Sequence, residues 1–328
     1  MRFYKLLWLV VLGMSGQPMF AWSGPVIISG DGNTGCSVPA IAVGASGEIH
    51  VAFRRKNPDW RILYRGRSAD GHWGPVEVVG VPWSERPDII EHPAGGPLMF
   101  YAGTGVGDKL DLFEARKSGA SWTVSQFTVT PDYHEDYPRL AKDSSGRVHL
   151  VHTRSSDGDR GDVIYRVWNG SWSSGVVLGS INNKNYYHRP DIAVDSLGRV
   201  HVVWAENQFT LVYRRFDGVS WSPKVAIGST AQFFAYPKVA AAGQDGILAV
   251  TFDQQTEAVL KYAVSTSGGS TWSPLQYLSD GHYPNMDTGP DGNAHMVYQW
   301  RPGSKSIGHR KWSAGGWTAP EHASPDTQ

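Results

Sequence analysis

Apolar and polar positions alternate with a period of two in short runs along most of the chain. Examples are "RVHLVH" (147–152), "RVHVVW" (199–204) and "NAHMVYQW" (293–300). This alternation predicts short strands with two differently used faces, and no stretch carries a helical period. Pairs such as "DG", "SG" and "GG" separate successive runs and supply hairpin-turn chemistry. The pattern therefore predicts an all-β protein built from consecutive hairpins.

The hairpins themselves repeat. Each unit begins Pro–x–apolar–x and continues through a Gly turn into a His/apolar strand. A variable loop, a Tyr-containing strand and a turn ending in Trp follow. Two copies read "PRLAKDSSGRVHLVH…VIYRVWNGSWSS" and "PDIAVDSLGRVHVVW…LVYRRFDGVSWSP". The leading prolines are Pro39, Pro87, Pro138, Pro190, Pro237 and Pro284, spaced by 48, 51, 52, 47 and 47 residues. Four short strands per unit at this period predict a six-bladed β-propeller of four-stranded antiparallel blades. The stretch "AWSGPVIIS" (21–29) reads as a lone extra strand ahead of the first unit, so an incomplete or strand-augmented seventh blade is the alternative.

Composition narrows the setting. The formal net charge is zero and 18% of residues are charged, which gives no basic excess for nucleic acid or an anionic membrane. Arg2 and Lys5 precede the apolar run "LLWLVVLGM" (6–14), which suits a secretory signal peptide over residues 1–21. Residues 22–328 then form a single propeller domain, secreted or periplasmic, with no membrane contact after cleavage and expected to be a monomer. Cys36 is the sole cysteine, so no intramolecular disulfide forms. The mature chain is long enough to bury an adequate core without one.

Residues that recur from unit to unit read as scaffold. His50, His149, His201 and His295 share one position of the second strand, and a Trp closes each turn (Trp73, Trp122, Trp172, Trp221, Trp272, Trp317). The turn "STSGGSTW" (265–272) resembles the Asp-box or BNR repeat of sialidases and related propellers, with Ser267 in place of the Asp. "SADGHW" (68–73) is a shortened version. This resemblance implies the fold, and by association alone an extracellular carbohydrate setting.

Equivalent positions that differ chemically are where function can be written. The residues just before the leading prolines form a predicted ring around the axis: Val38, Arg86, Tyr137, Arg189, Tyr236 and Tyr283. One step earlier stand Ser37, Glu85, Asp136, His188, Ala235 and His282, and the feeding loops add Trp83, Tyr133, His134, Tyr186 and Tyr187. In unit three, His152 replaces the aromatic that four other units carry at that position. The bland alternative is that Arg and Tyr stack on each other and cap the axial channel.

Aromatic faces suit sugars and guanidinium groups suit carboxylate or sulfate, so an acidic polysaccharide or oligosaccharide is the expected partner. Arg86, Asp136, Tyr137, His188, Tyr236, His282 and Tyr283 are the expected substrate-binding residues. β-Elimination at a uronate needs a cation on the carboxylate, a base for the C5 proton and an acid for the leaving oxygen. His134, His152, Tyr187 and Arg189 offer that set. Here the chain resembles β-propeller polysaccharide lyases such as ulvan lyases in fold and residue type, and the resemblance implies His, Tyr and Arg from neighbouring blades as catalytic groups. A sialidase-like hydrolase using Arg86, Arg189, Asp136 or Glu85 is an alternative, although the Arg-Ile-Pro segment expected of sialidases is missing. A non-catalytic carbohydrate-binding propeller is another. No cofactor is expected. The acidic loop "SSDGDRGD" (155–162) and the His134/His152 pair are the only hints of a structural calcium or zinc.

Overall fold

The computed structural model describes residues 26–323 apart from 31–34, 157–159, 183–188, 208, 230–233, 244–245, 254–258, 301–305 and 314–315. The expected leader lies outside these residues. Apart from one turn of 3-10 helix at Val106–Asp108, the regular structure of the described residues is entirely strand. The fold is a β-propeller. In each unit the first strand (for instance His134–Lys142) pairs with the second (Val148–Ser155), the second with the third (Arg160–Trp168) and the third with the fourth (Val176–Asn182), all antiparallel.

Units one to four are separate four-stranded sheets, whereas units five and six form one eight-stranded sheet. The join is the 13-residue strand Gln276–Thr288. Its first residues, Gln276 to Asp280, pair with Val259–Ser265 of unit five, and Gly281 to Thr288 pair with Ala294–Trp300 of unit six. The fourth strand of one unit thus runs directly into the first strand of the next. Residues Val26–Ser29 form no strand, while Gly316–Trp317 and Glu321–His322 both pair with Ile307–Ser313, so unit six has outer strands of its own.

Apolar layers between successive sheets hold the units together. Ala52, Ile62 and Tyr64 meet Ile89, Met99 and Tyr101 between units one and two. Comparable layers join two to three, three to four, four to five and five to six. At the second residue after each leading proline, Ile89, Leu140, Ile192, Val239 and Met286 enter these layers, none more than 8% exposed. The equivalent residue of unit one, Ile41, is 41% exposed, and Val43 beside it is also exposed. On the facing side of unit six, Asn285 and Asp287 are exposed. The junction between the last and first units is therefore open along its inner edge.

The recurrent histidines are internal braces. His149 Nδ1 is 2.7 Å from the Tyr165 hydroxyl and its Nε2 is 3.2 Å from Asp143; His201 repeats this with Tyr213 at 2.7 Å and Asp195 at 3.0 Å. Each Asp also accepts backbone N–H groups of its own turn, from Ser145 and Arg147 or from Leu197 and Arg199. The Tyr rings then take the Trp of the following unit edge-on: Tyr64–Trp122, Tyr165–Trp221 and Tyr213–Trp272, with centroids 4.8–5.0 Å apart. An Asp-His-Tyr chain would suggest catalysis if it occurred once. Repeated and buried, it is scaffold.

The degenerate Asp-box turn has a local explanation. Ser267 Oγ accepts the Thr271 N–H at 2.9 Å, the kind of bond a carboxylate would accept, and Ser265 Oγ accepts from Gly269 N at 2.8 Å. Gly269 sits at φ +87°, and a Cβ there would collide with the Tyr213 hydroxyl of unit four.

Two outcomes follow. Ile89→Ala empties a closed layer and should cost about 2–5 kcal/mol, whereas Ile41→Ala at the same repeat position should cost less than about 1 kcal/mol. Chemical denaturation of both variants measures the contrast. Secondly, burial lowers the pKa of His50, His149 and His201 below the usual 6.5. The unfolded chain then binds protons first as pH falls below about 6.5, so stability declines from there down through the folded-state values. Despite its burial, Asp195 is held down to about 2 by hydrogen bonds from His201 and Arg199, which adds a further loss below about pH 4. Unfolding midpoints between pH 7 and pH 3 should fall throughout, and a flat profile would contradict the brace.

Candidate functional site

Five of the six pre-proline residues have left-handed backbone: Val38 (φ 46°), Arg86 (52°), Tyr137 (54°), Tyr236 (53°) and Tyr283 (50°). Strand register slips at each of these places, so every one is a bulge. A non-Gly residue in this region costs about 1–2 kcal/mol, and a following proline restricts the backbone further. Because the conformation recurs even at Val38, it belongs to the scaffold. Its effect is to turn the pre-proline side chains of successive units towards one another.

Those side chains stack in order. The Arg86 guanidinium lies 4.4 Å from the Tyr137 ring centroid, and Arg189 lies 4.7 Å from Tyr137 and 4.2 Å from Tyr236. Tyr236 meets Tyr283 edge-on at 5.1 Å, and His282 tilts against Tyr283 at 5.7 Å. The ring is thus a continuous cation–aromatic stack from unit two to unit six, ending where the inner edge is open. Arg and Tyr side chains of the ring are thus stacked on one another. Tyr283, at 51% exposed, still offers a surface to a ligand.

Arg86 is further engaged by Glu85 at 3.0 Å and by Asp136. Burial opposes its charge, but Asp136, Tyr137 and Glu85 more than offset this and hold the guanidinium protonated. Burial, and then the Asp136 carboxylate, push the Tyr137 hydroxyl well above the usual phenol value. Arg86 and Tyr137 therefore form a fixed charged plate, with no proton for Tyr137 to give up near neutral pH.

The expected catalytic residues are placed unevenly. His152 is completely buried with its Nδ1 2.8 Å from Glu135 Oε2, and presents no face to a polymer. His134 is half-buried at the rim, and its Nδ1 accepts the Leu110 N–H at 3.1 Å. A neutral His134 must then carry its proton on Nε2 and act there as a donor, not a base. Beside it are exposed Tyr133 and Arg154, whose guanidinium is 5.4 Å from the Tyr133 ring. Asp111 orders this corner: buried, it accepts from Thr128, Thr130, Gln126 and Val106 N. Tyr187 and His188 lie outside the described residues. Of the acidic loop 155–162, Asp162 is paired with Arg154 at 2.9 Å, and residues 157–159 lie outside. Among the described residues no group of three or more His, Cys, Asp or Glu is placed to hold a metal ion.

Two features escape a reading based on the pre-proline position. The first lies one residue after the proline. Asp88, Arg139, Asp191 and Lys238 alternate in sign around the inner strands of units two to five. Arg139 lies 3.6 Å from Asp88 and 3.7 Å from Asp191, and Lys238 is 3.2 Å from Asp191. Asp88 accepts Leu140 N and Asp191 accepts Val239 N, each from the following unit. Burial, with Arg139 nearby, brings the Lys238 ammonium down to about 8 against the pull of Asp191 and Asp88. The signal was the alternating sign at one repeat position. The second feature is Trp60, in the loop "KNPDW" (56–60), which meets Trp83 at 6.3 Å.

No family model matches the chain, and no curated protein matches it. Solved structures do. A variant of the Aleuria aurantia lectin in complex with Fucα1-6GlcNAc superposes with a TM-score of 0.58 at 15% identity, covering 88% of this chain and 96% of the lectin. A Hadza microbial sialidase gives 0.56 at 13%, covering 80% and 63%. An ulvan lyase from a new polysaccharide lyase family, bound to GlcA(1-4)Rha3S, gives 0.54 at 14%, covering 86% and 82%. At these identities the likeness shows the fold.

The axial charges yield an expectation of their own. Asp191→Ala leaves Lys238 buried without its nearest carboxylate and should cost about 3–5 kcal/mol. Removing the more exposed Lys142–Glu91 pair (3.1 Å) should cost under about 1 kcal/mol. Parallel urea titrations compare the two.

Proposed function

We propose that this protein is a carbohydrate-active propeller that takes an acidic, uronate- or sulfate-bearing polysaccharide across the face carrying the pre-proline ring. The observation that carries this reading is the concentration of exposed aromatic surface and guanidinium groups on that one rim. Trp83, Tyr133 and Tyr283 are exposed there, beside the half-buried Arg154 and the stacked Arg189. Pyranose faces lie against the rings while planar guanidinium groups meet carboxylate or sulfate. Sugar-binding and sugar-cleaving proteins among the structural neighbours support the choice of ligand class. Export from the cytoplasm and a monomeric state without a cofactor go with this proposal.

Elimination at a uronate is the second reading, and the tautomer of His134 favours it. With Nδ1 accepting from Leu110, a neutral His134 carries its proton on Nε2, a donor of the kind that a uronate carboxylate or a leaving oxygen accepts. Arg189 supplies a second cation, and Tyr187 on the adjoining loop is the proposed proton-transfer group. Sialidase-like hydrolysis is less well supported, because Arg86 is already committed to Glu85 and Asp136.

Incubation of the mature protein with uronate polysaccharides, followed by ultraviolet absorbance of the unsaturated product, tests the second reading. His134→Ala or Arg189→Ala should lower that rate by about 10²–10³-fold. Retardation of the protein in gels containing the same polymers tests the first. Binding without unsaturated product leaves a binding propeller; neither signal removes both readings.

A further inference from the structure

Trp83 is a strained, exposed aromatic on a rigid mount. Its φ is +60°, outside the pre-proline series, and its side chain is 61% exposed. A large side chain in this region is costly, and such strain persists only where the surroundings enforce it. The surroundings do so here. Ser84, fully buried, donates its N–H to Trp60 O at 2.8 Å and its hydroxyl to Val81 O at 2.6 Å, and its Oγ accepts Ile62 N at 3.2 Å. Val79 N and Gly80 N both donate to Ile62 O, at 3.0 and 2.9 Å. The loop is clamped to the start of the third strand of unit one, and the strained residue it presents is a tryptophan facing water.

Beneath Trp83 the structure is layered. Trp60 is tilted 35° to it, and the Arg54 guanidinium lies 4.4 Å from the Trp60 ring. Arg54 is held in turn by Ser37 Oγ at 2.9 and 3.2 Å and by Glu85 at 3.5 Å. The exposed Lys56 Nζ is 5.9 Å from the Trp60 ring, so the platform carries a cation at its edge. A hydrophobic contact that served folding would be covered and relaxed; this one is uncovered, strained and fixed.

We propose that Trp83, backed by Trp60, is a sugar-stacking subsite at the edge of units one and two. It receives one pyranose ring of an acidic glycan on its exposed face, with Lys56 favouring an anionic substituent. The inference rests on the proposed function and adds a position and a binding mode to it. The subsite is preorganised: two rigid rings lose little freedom when a sugar arrives, and the backbone strain is already present in the free protein.

The test uses Trp83→Gly, because glycine removes the ring and relaxes a positive φ together. Polygalacturonate and heparin serve as probes in affinity gels, and the melting temperature is measured on the same samples. The expected result is binding to the retarding polymer weakened about tenfold or more, with a melting temperature equal to or above that of the unaltered protein. Lys56→Ala should weaken binding and raise nothing in stability. Unchanged affinity in Trp83→Gly, or a melting temperature several degrees lower, overturns the subsite while the wider reading stands. If the unaltered protein is retarded by neither polymer, the proposed function falls and the subsite falls with it.

Discussion

The tyrosine of the third strand is the contact on which the wheel depends. Within its own unit, the hydroxyl of Tyr165 or Tyr213 meets a buried histidine that an aspartate of the same unit orients. Towards the next unit, the same ring receives a tryptophan edge-on. One side chain therefore fixes a hairpin and sets the spacing of its neighbour. The ring nitrogens of His149 and His201 are both satisfied inside their own units, so these tyrosine rings are left to pack on the neighbouring unit. Where the tyrosine is replaced, the brace changes with it: unit six has His309 at that position, stacked on His295 at 5.4 Å.

This frame lies outside the pre-proline positions, which leaves those positions free to differ from unit to unit. The pre-proline positions bring Arg86, Tyr137, Arg189, Tyr236 and Tyr283 together at a common mouth. Just below, four alternating charges lock the inner strands of units two to five together. Unit one takes little part in either arrangement, since it carries Val38 in the first and Ala40 in the second. The open inner edge beside unit six and the Trp60–Trp83 platform both belong to this departure from the repeat.

Much of the architecture was legible in the sequence because a repeat exposes its own rules. Period-two runs, spaced prolines and turn tryptophans gave the strands and their grouping, and four recurrent histidines announced scaffold. The fusion of units five and six was harder to see, since "QYLSDGHYPNMDT" reads as two strands with a turn between them. The candidate site was legible as a ring of positions but not as a set of contacts. Nothing in the pre-proline pattern indicates that Arg86 is held by Glu85 and Asp136, or that His152 is sealed against Glu135. The fixed tautomer of His134 depends on a backbone N–H 24 residues away. The pre-proline pattern does not point to Trp60, which lies between the second and third strands, away from the loops that feed the inner strand.

The central claim is that recurrent aromatics are frame while the non-recurrent ones on the rim meet the ligand. The chain has 14 tryptophans, so the indole N–H signals in an NMR spectrum report on both classes together. Titration with a uronate oligosaccharide should move the signals of Trp83 and Trp60 and leave those of Trp122, Trp221 and Trp272 in place. Shifts confined to the turn tryptophans, or spread evenly over all of them, would contradict the division between frame and site.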